Sequence, residues 1–304
     1  MANKALQRKM DRLLILEEQG KLFSSNTSRT LRKLAANPLA IIGLVLFVLM
    51  FLACIAAPLI SSYGPNTIDL RNRLVPPGEG HLLGTDQIGR DIYTRILYGG
   101  RISIFVGLGS ALGAALIGVS LGTYAGYRRG MLDATVMKVS EIMMSFPQII
   151  LVSILVTIVG QSLWNLILIF ILTGWPSMYR MARSQMLSIR EQEYIQALQA
   201  FGISKFVISF KHMLPNAIGP IFVNITLSTA MFILQEAALS FLGLGVPLEQ
   251  ATWGNILNVA QDLNILRDAW WVWLPVGLVI TIFVMAINFI GDGLRDAADP
   301  TQVG

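Results

Sequence analysis

Charge is what this sequence has least of. Only 13% of its 304 residues are Asp, Glu, Lys or Arg, about half the share of a soluble domain. With 54% hydrophobic residues beside that deficit, a soluble enzyme and a disordered chain both fit poorly. Cysteine is reduced to one residue, Cys54, so no intrachain disulfide can form. Cys54 sits in an apolar run and reads as a small buried hydrophobe. The two histidines, His81 and His212, offer no metal-site spacing. No Gly-rich loop followed by Lys and Ser/Thr is there to cradle a phosphate. No catalytic, metal or cofactor-binding residue is therefore expected on this chain.

Long apolar stretches dominate what remains. Residues 38–60 run without a charge, and a membrane helix needs about 20 such residues. The preceding 37 residues are basic and too long a leader for a cleaved signal peptide, so 38–60 reads as an uncleaved span. Further spans are expected at 102–126, 139–160, 163–182, 216–245 and 272–291. The fold class is thus all-α, a polytopic membrane protein with six transmembrane helices. Its segments are a cytoplasmic stretch 1–37, the first span and outer loop 38–101, a five-span core 102–291 with a polar loop 183–215, and a tail 292–304.

Six spans place both termini on one side. Of the Lys and Arg residues, eight lie in 1–37, three in 127–138, five in 180–212 and one in 292–304, against five in 61–101 and one in 246–272. Basic loops stay cytoplasmic, so cytoplasmic termini are expected. The net charge of +5 is accounted for by these loops rather than by nucleic-acid binding. Trp164, Trp270, Trp271 and Trp273 then fall at the outer interface, where indoles settle.

Gly118, Gly122 and Gly126, with Gly109 and Gly113, form a small-residue stripe in the second span that permits close helix approach. It serves either packing within the chain or a subunit interface. Pro147 and Pro176 remove backbone donors inside spans and are expected to kink them. Glu236, beside Gln235, is the carboxylate deep in the fifth span. A charge there is either functional, as a path or gating residue, or a neutralised carboxylate near the rim. Gln235 and Asn224 are further path or gating candidates in that span, and Asn224, like Asn288, also fits an interhelical hydrogen bond. The outer loop holds Asp86, Arg90, Asp91, Arg95 and Arg101, whose close opposite charges fit a loop-ordering network; contact with a binding protein or peptide termini is the alternative.

Residues 193–202, EYIQALQAFG, carry the most informative pattern. Tyr194, Ala197, Leu198 and Phe201 recur at helical spacing on one face, while Glu193, Gln196 and Gln199 point elsewhere. Gly202 can stop that helix through a positive φ. Ser204 can cap a second one, which is expected to end before Pro215. Such a helix suits either insertion in a partner's groove or a place flat on the lipid surface.

This stretch resembles the EAA-type cytoplasmic coupling loop of ABC importer permeases. Gln196, Ala197 and Leu198 stand where the broad pattern has Glu-Ala-Ala, and Gln199 stands where a basic residue is common. The whole chain resembles the dipeptide/oligopeptide permease family, in its shorter permease type. The match rests on HLLGTDQIGRD at 81–91, on 193–202 with HMLPN at 212–216, on AALSFLGLG at 237–245 with Trp253-Gly254, and on GDGLRDAADP at 291–300. The resemblance implies a bacterial inner-membrane permease that pairs with a homologous second permease, two cytoplasmic ATPases and an extracytoplasmic solute-binding protein. ATP and Mg would sit on the ATPases, and a di- or oligopeptide would be carried by alternating access. Nickel complexes, glutathione or sugars are alternative cargoes within that family. An ion-coupled secondary transporter using Glu236 is a rival outside it, although no internal repeat is visible.

Overall fold

The computed structural model describes residues 34–35, 37–78 and 80–298. Residues 1–33 and 36 of the expected segment 1–37, and the end of the expected tail, 299–304, lie outside the described residues. Helices account for the architecture, and the described residues contain two isolated β-bridges and no strand.

The first long helix, α1 (Pro38–Ile55), starts where Asn37 accepts hydrogen bonds from the Leu39 and Ala40 amides and Pro38 occupies the first turn. A short α2 (Ala57–Ile60) follows, then an irregular loop. Helix α3 (Ile92–Arg128) begins ten residues before the expected second span, because Asp91 caps it by accepting from the Thr94 amide at 2.7 Å. Arg95 and Arg101 therefore lie on this helix and not in the loop.

The expected third span is not one helix. It divides into α4 (Met131–Met144) and α5 (Gln148–Val159), bent by 88°. Pro147 does not kink a continuous helix; it stands just before α5 and separates the two pieces. No charge falls within 142–159, so hydropathy alone hid the corner. Helix α6 (Leu163–Arg190) does run through Pro176 and extends eight residues beyond the expected span.

After α6 come α7 (Glu193–Ala200) and α8 (Lys205–Val207). The chain then widens into a π turn over Ile208–Met213, tightens into a 3₁₀ turn over Leu214–Ala217, and enters α9 (Ile218–Phe241). The expected stop before Pro215 does not occur: Leu214 keeps helical angles. The change of helical pitch absorbs the proline, whose missing N–H would break a regular ladder. Helices α10 (Trp253–Leu257) and α11 (Leu263–Asp268) lead to α12 (Trp270–Ala298).

Four helical stretches among the described residues are long and apolar enough to cross a bilayer, and the bent α4–α5 pair makes a fifth if counted as one span. That falls short of the six expected. The missing one is α6, which has the length, 28 residues, but carries Asn165, Ser177, Arg180 and Arg183 along it.

Small residues decide how the helices meet. A Cβ at Gly118 would lie 2.5 Å from Met178 Cβ, and one at Gly122 would lie 2.6 Å from Tyr179 O. The stripe on α3 is thus spent inside the chain, against α6, which resolves its two readings in favour of internal packing. Gly109 takes no part, with nothing near its missing side chain. Gly43 plays the same role between α1 and α12, 2.6 Å from Ala286 O. Close backbone approach of this kind supplies the van der Waals contact that holds helices together in lipid.

Candidate functional site

The polar turn at α7 is anchored from below by one residue. Ile195 is fully buried among Met186, Ile189, Ile208 and Met213, and Leu198 and Ile203 pack against the same cluster. The expected face of Tyr194, Ala197, Leu198 and Phe201 therefore splits. Leu198 faces the cluster, whereas Ala197 and Phe201 face outward. Ile195 was missed; its spacing to Leu198, three residues, was the available signal.

Gly202 closes the helix at φ +74°. The Ile203 amide donates to Leu198 O at 3.3 Å and the Gly202 amide to Gln199 O at 3.0 Å. This is a Schellman closure with its hydrophobic contact between Leu198 and Ile203. Ser204 then caps α8, accepting from the Val207 amide at 3.4 Å. The turn projects Phe201, 83% exposed, and Phe206, 62% exposed.

Two side-chain bonds fix the base of the turn. Asn216 Nδ2 donates to the Tyr194 hydroxyl at 3.1 Å and to His212 O at 2.7 Å. Partial burial raises the Tyr194 hydroxyl above its ordinary pKa. Gln196 Nε2 donates to Glu191 O at 3.2 Å. Glu193 and Gln199 are exposed. The result is a short helix with an apolar outer tip, joined to α6 by two residues and to α9 through α8 and the π and 3₁₀ turns.

A second cluster, unforeseen in the sequence, ties α4 to α6. Arg183 donates from Nε to Asp133 Oδ1 at 2.5 Å and from its terminal nitrogen to Oδ2 at 2.6 Å, and the Tyr179 hydroxyl donates to Oδ1 at 2.8 Å. Asp133 is buried. The partners stand 50 residues apart, beyond any local pattern.

Glu236 is completely enclosed. Its carboxylate accepts from the Ser103 hydroxyl at 3.0 Å and the Ser240 hydroxyl at 2.9 Å, while Ser103 Oγ accepts from the Trp253 amide at 3.1 Å. It thus joins α3, α9 and α10. Gln235 Nε2 donates to Gln148 Oε1 at 3.0 Å. Gln235 Oε1 and Asn224 Oδ1 are buried without partners among the described residues. Glu236 and Gln235 are adjacent in sequence but serve different neighbours, and Asn224 joins neither.

The charges expected in the outer loop are largely buried or half-buried. Asp86 accepts from the Ile88 and Arg90 amides at 3.0 and 2.9 Å and from Arg90 Nε at 2.6 Å. Asp91 meets His81 Nδ1 at 2.9 Å. Arg95 is buried and donates to Pro65 O at 3.2 Å. Gly89, at φ +80°, lies against the Asp69 backbone, where no side chain would fit. Among the described residues no group of three metal-ligating side chains occurs.

Comparison with known proteins places this geometry. The family described as "Binding-protein-dependent transport system inner membrane component" matches residues 118–303. The "N-terminal TM domain of oligopeptide transport permease C" matches residues 25–77. The oligopeptide transport system permease protein OppC of Bacillus subtilis is 40% identical over 266 residues, covering 87% of this chain and 86% of that one. A Brucella suis protein named as a peptide permease is 38% identical over 288 residues, covering 94% and 95%. Among solved structures, an inward-facing form of the MetNI methionine ABC transporter superposes with a TM-score of 0.55 at 24% identity, over 67% of this chain and 96% of that one; it shares the fold. From the α1 region to the end of α12, this chain belongs to the peptide-permease family of ABC transporter inner-membrane components.

Proposed function

We propose that the chain forms, with a homologous second permease, the membrane path of an ATP-driven importer of di- or oligopeptides. Two cytoplasmic ATPases bind below and hold the ATP and Mg; an extracytoplasmic solute-binding protein delivers cargo above. The observation that carries this reading is the α7 turn: a helix anchored by Ile195, closed by Gly202, with Ala197 and Phe201 presented outward. An exposed phenylalanine on a rigid polar loop fits insertion into an apolar groove of a partner.

The mechanism is alternating access. Closure of the ATPase pair moves its grooves, α7 follows, and α6 and α9 follow α7 because no flexible linker separates them. The Asp133–Arg183 pair carries the displacement of α6 into α4, and so into the α4–α5 corner. A buried bidentate pair suits this role because its geometry is fixed in both angle and distance. Glu236 supports the scaffold from its enclosed site rather than conducting an ion. The experiment that tests the reading is peptide uptake by the purified complex in proteoliposomes, with ATP supplied and the membrane potential collapsed. Uptake that continues supports the ATP-driven importer; uptake that stops favours ion coupling.

A further inference from the structure

The corner between α4 and α5 opens a cavity of about 360 Å³. Its polar lining comes from Gln148 on α5, Thr173 and Ser177 on α6, and Ser228 on α9. Met143, Met144 and Met231 supply much of the rest. No lining residue is charged. Helix α5 has 12 residues, so Gln148 lies about 18 Å along it from the turn at Gly160, at 1.5 Å per residue. A hydrocarbon core is about 30 Å thick, so with Gly160 at the interface, as the sequence reading expects, the corner stands inside it.

Irregular backbone at that depth is tolerated only against protein or a water-filled space. Here Ser145, Phe146 and Pro147 are exposed, and no side chain caps α5, whose first amides lack an acceptor within the helix. Gln148 Oε1 is occupied by Gln235, but Gln148 Nε2 has no hydrogen-bond partner among the described residues. An unspent amide nitrogen beside an exposed corner is placed to hydrogen-bond something passing through.

We propose that this cavity is a cargo half-site that takes an uncharged stretch of extended peptide, completed by the second permease. The proposal rests on the peptide-importer reading above. A peptide presents one amide donor and one carbonyl acceptor per residue whatever its side chains. The Gln148 amide and the Ser177 and Ser228 hydroxyls match those groups as donors and acceptors. The methionines adapt to side chains of varied shape. A neutral lining favours neither sign of cargo charge, so the cavity passes lysine- and glutamate-bearing peptides alike.

The test is uptake of trialanine and of lysine- and glutamate-centred tripeptides by the complete complex in proteoliposomes, with its binding protein. Gln148→Glu is expected to shift the lysine-to-glutamate uptake ratio about tenfold towards lysine, the effect of a contact of about 1.4 kcal/mol; Gln148→Lys shifts it the other way. The same binding protein serves every variant, so its own preference cancels. Ser177→Trp, which fills the cavity, is expected to cut uptake at least about tenfold while the subunits still co-purify and hydrolyse ATP. Unchanged ratios in both charge variants, with wild-type uptake intact, overturn the cavity proposal alone. Absence of any tripeptide uptake by the wild-type complex overturns both this proposal and the reading beneath it.

Discussion

Arg183 grips Asp133 with two N–H groups on one edge of its guanidinium, at 2.5 and 2.6 Å, and thereby fixes α4 across α6. Removing one partner leaves the other charge desolvated. Loss of one member of a fully buried pair costs about 3–5 kcal/mol; Arg183 is partly solvated here, so the cost of Asp133→Ala is expected nearer about 2 kcal/mol. The midpoint of thermal unfolding in detergent measures it. Asp133→Asn, which keeps the shape, is expected to leave ATP hydrolysis in place and lower uptake per ATP. Equal loss of both would contradict transmission through this pair.

Gly202 stands at φ +74° with open space around it. The constraint is therefore backbone strain and not room. Gly202→Val is expected to cost about 1–2 kcal/mol locally and to tilt α7 away from its closure. ATPase co-purification with the variant is expected to fall while the permease itself stays folded, as read by its elution profile. Full retention of the ATPases with normal uptake would remove α7 from the coupling role.

How far the sequence spoke depended on the range of the interaction. Gly202 and Ser204 were legible because caps and turns are decided within a few residues. The glycine stripe was legible as a stripe, and the structure supplied its partner, α6. Ile195 was assigned to no face, because an eight-residue helix is too short for periodicity to choose between adjacent stripes. The α4–α5 corner was invisible to hydropathy: Pro147 announced a disturbance but not its angle. The Asp133–Arg183 pair and the Glu236–Ser103–Trp253 chain join residues 50 or more apart, and nothing local marks them.

Ile195→Ala tests the anchor beneath the turn. The side chain is fully buried, and truncations of this size cost about 2–5 kcal/mol. Uptake is expected to fall with a reduced apparent affinity of the ATPases, whereas Phe201→Ala, at an exposed tip, is expected to weaken ATPase binding without lowering the unfolding midpoint. The contrast is read by pull-down and thermal melt on the same preparations. A loss of stability in Phe201→Ala equal to that in Ile195→Ala would place both residues in the core.

Glu236→Gln keeps one acceptor and adds a donor in a site where both carboxylate oxygens are occupied. Glu236→Ala leaves the Ser103 and Ser240 hydroxyls without their acceptor, at about 1–3 kcal/mol for each buried polar group stranded. The alanine variant is expected to lose complex yield, and the glutamine variant to transport at close to the wild-type rate. A glutamine variant that assembles normally yet stops transporting would restore Glu236 as an ion or gating site.

The most direct test of the account is to tag the chain, extract it gently from its native membrane and identify what accompanies it. The account predicts a second permease and two ATPase subunits, with the ATPases lost on Gly202→Val and kept on Gln148→Glu. Recovery of the chain alone, or with copies of itself and no ATPase in several mild detergents, would contradict it.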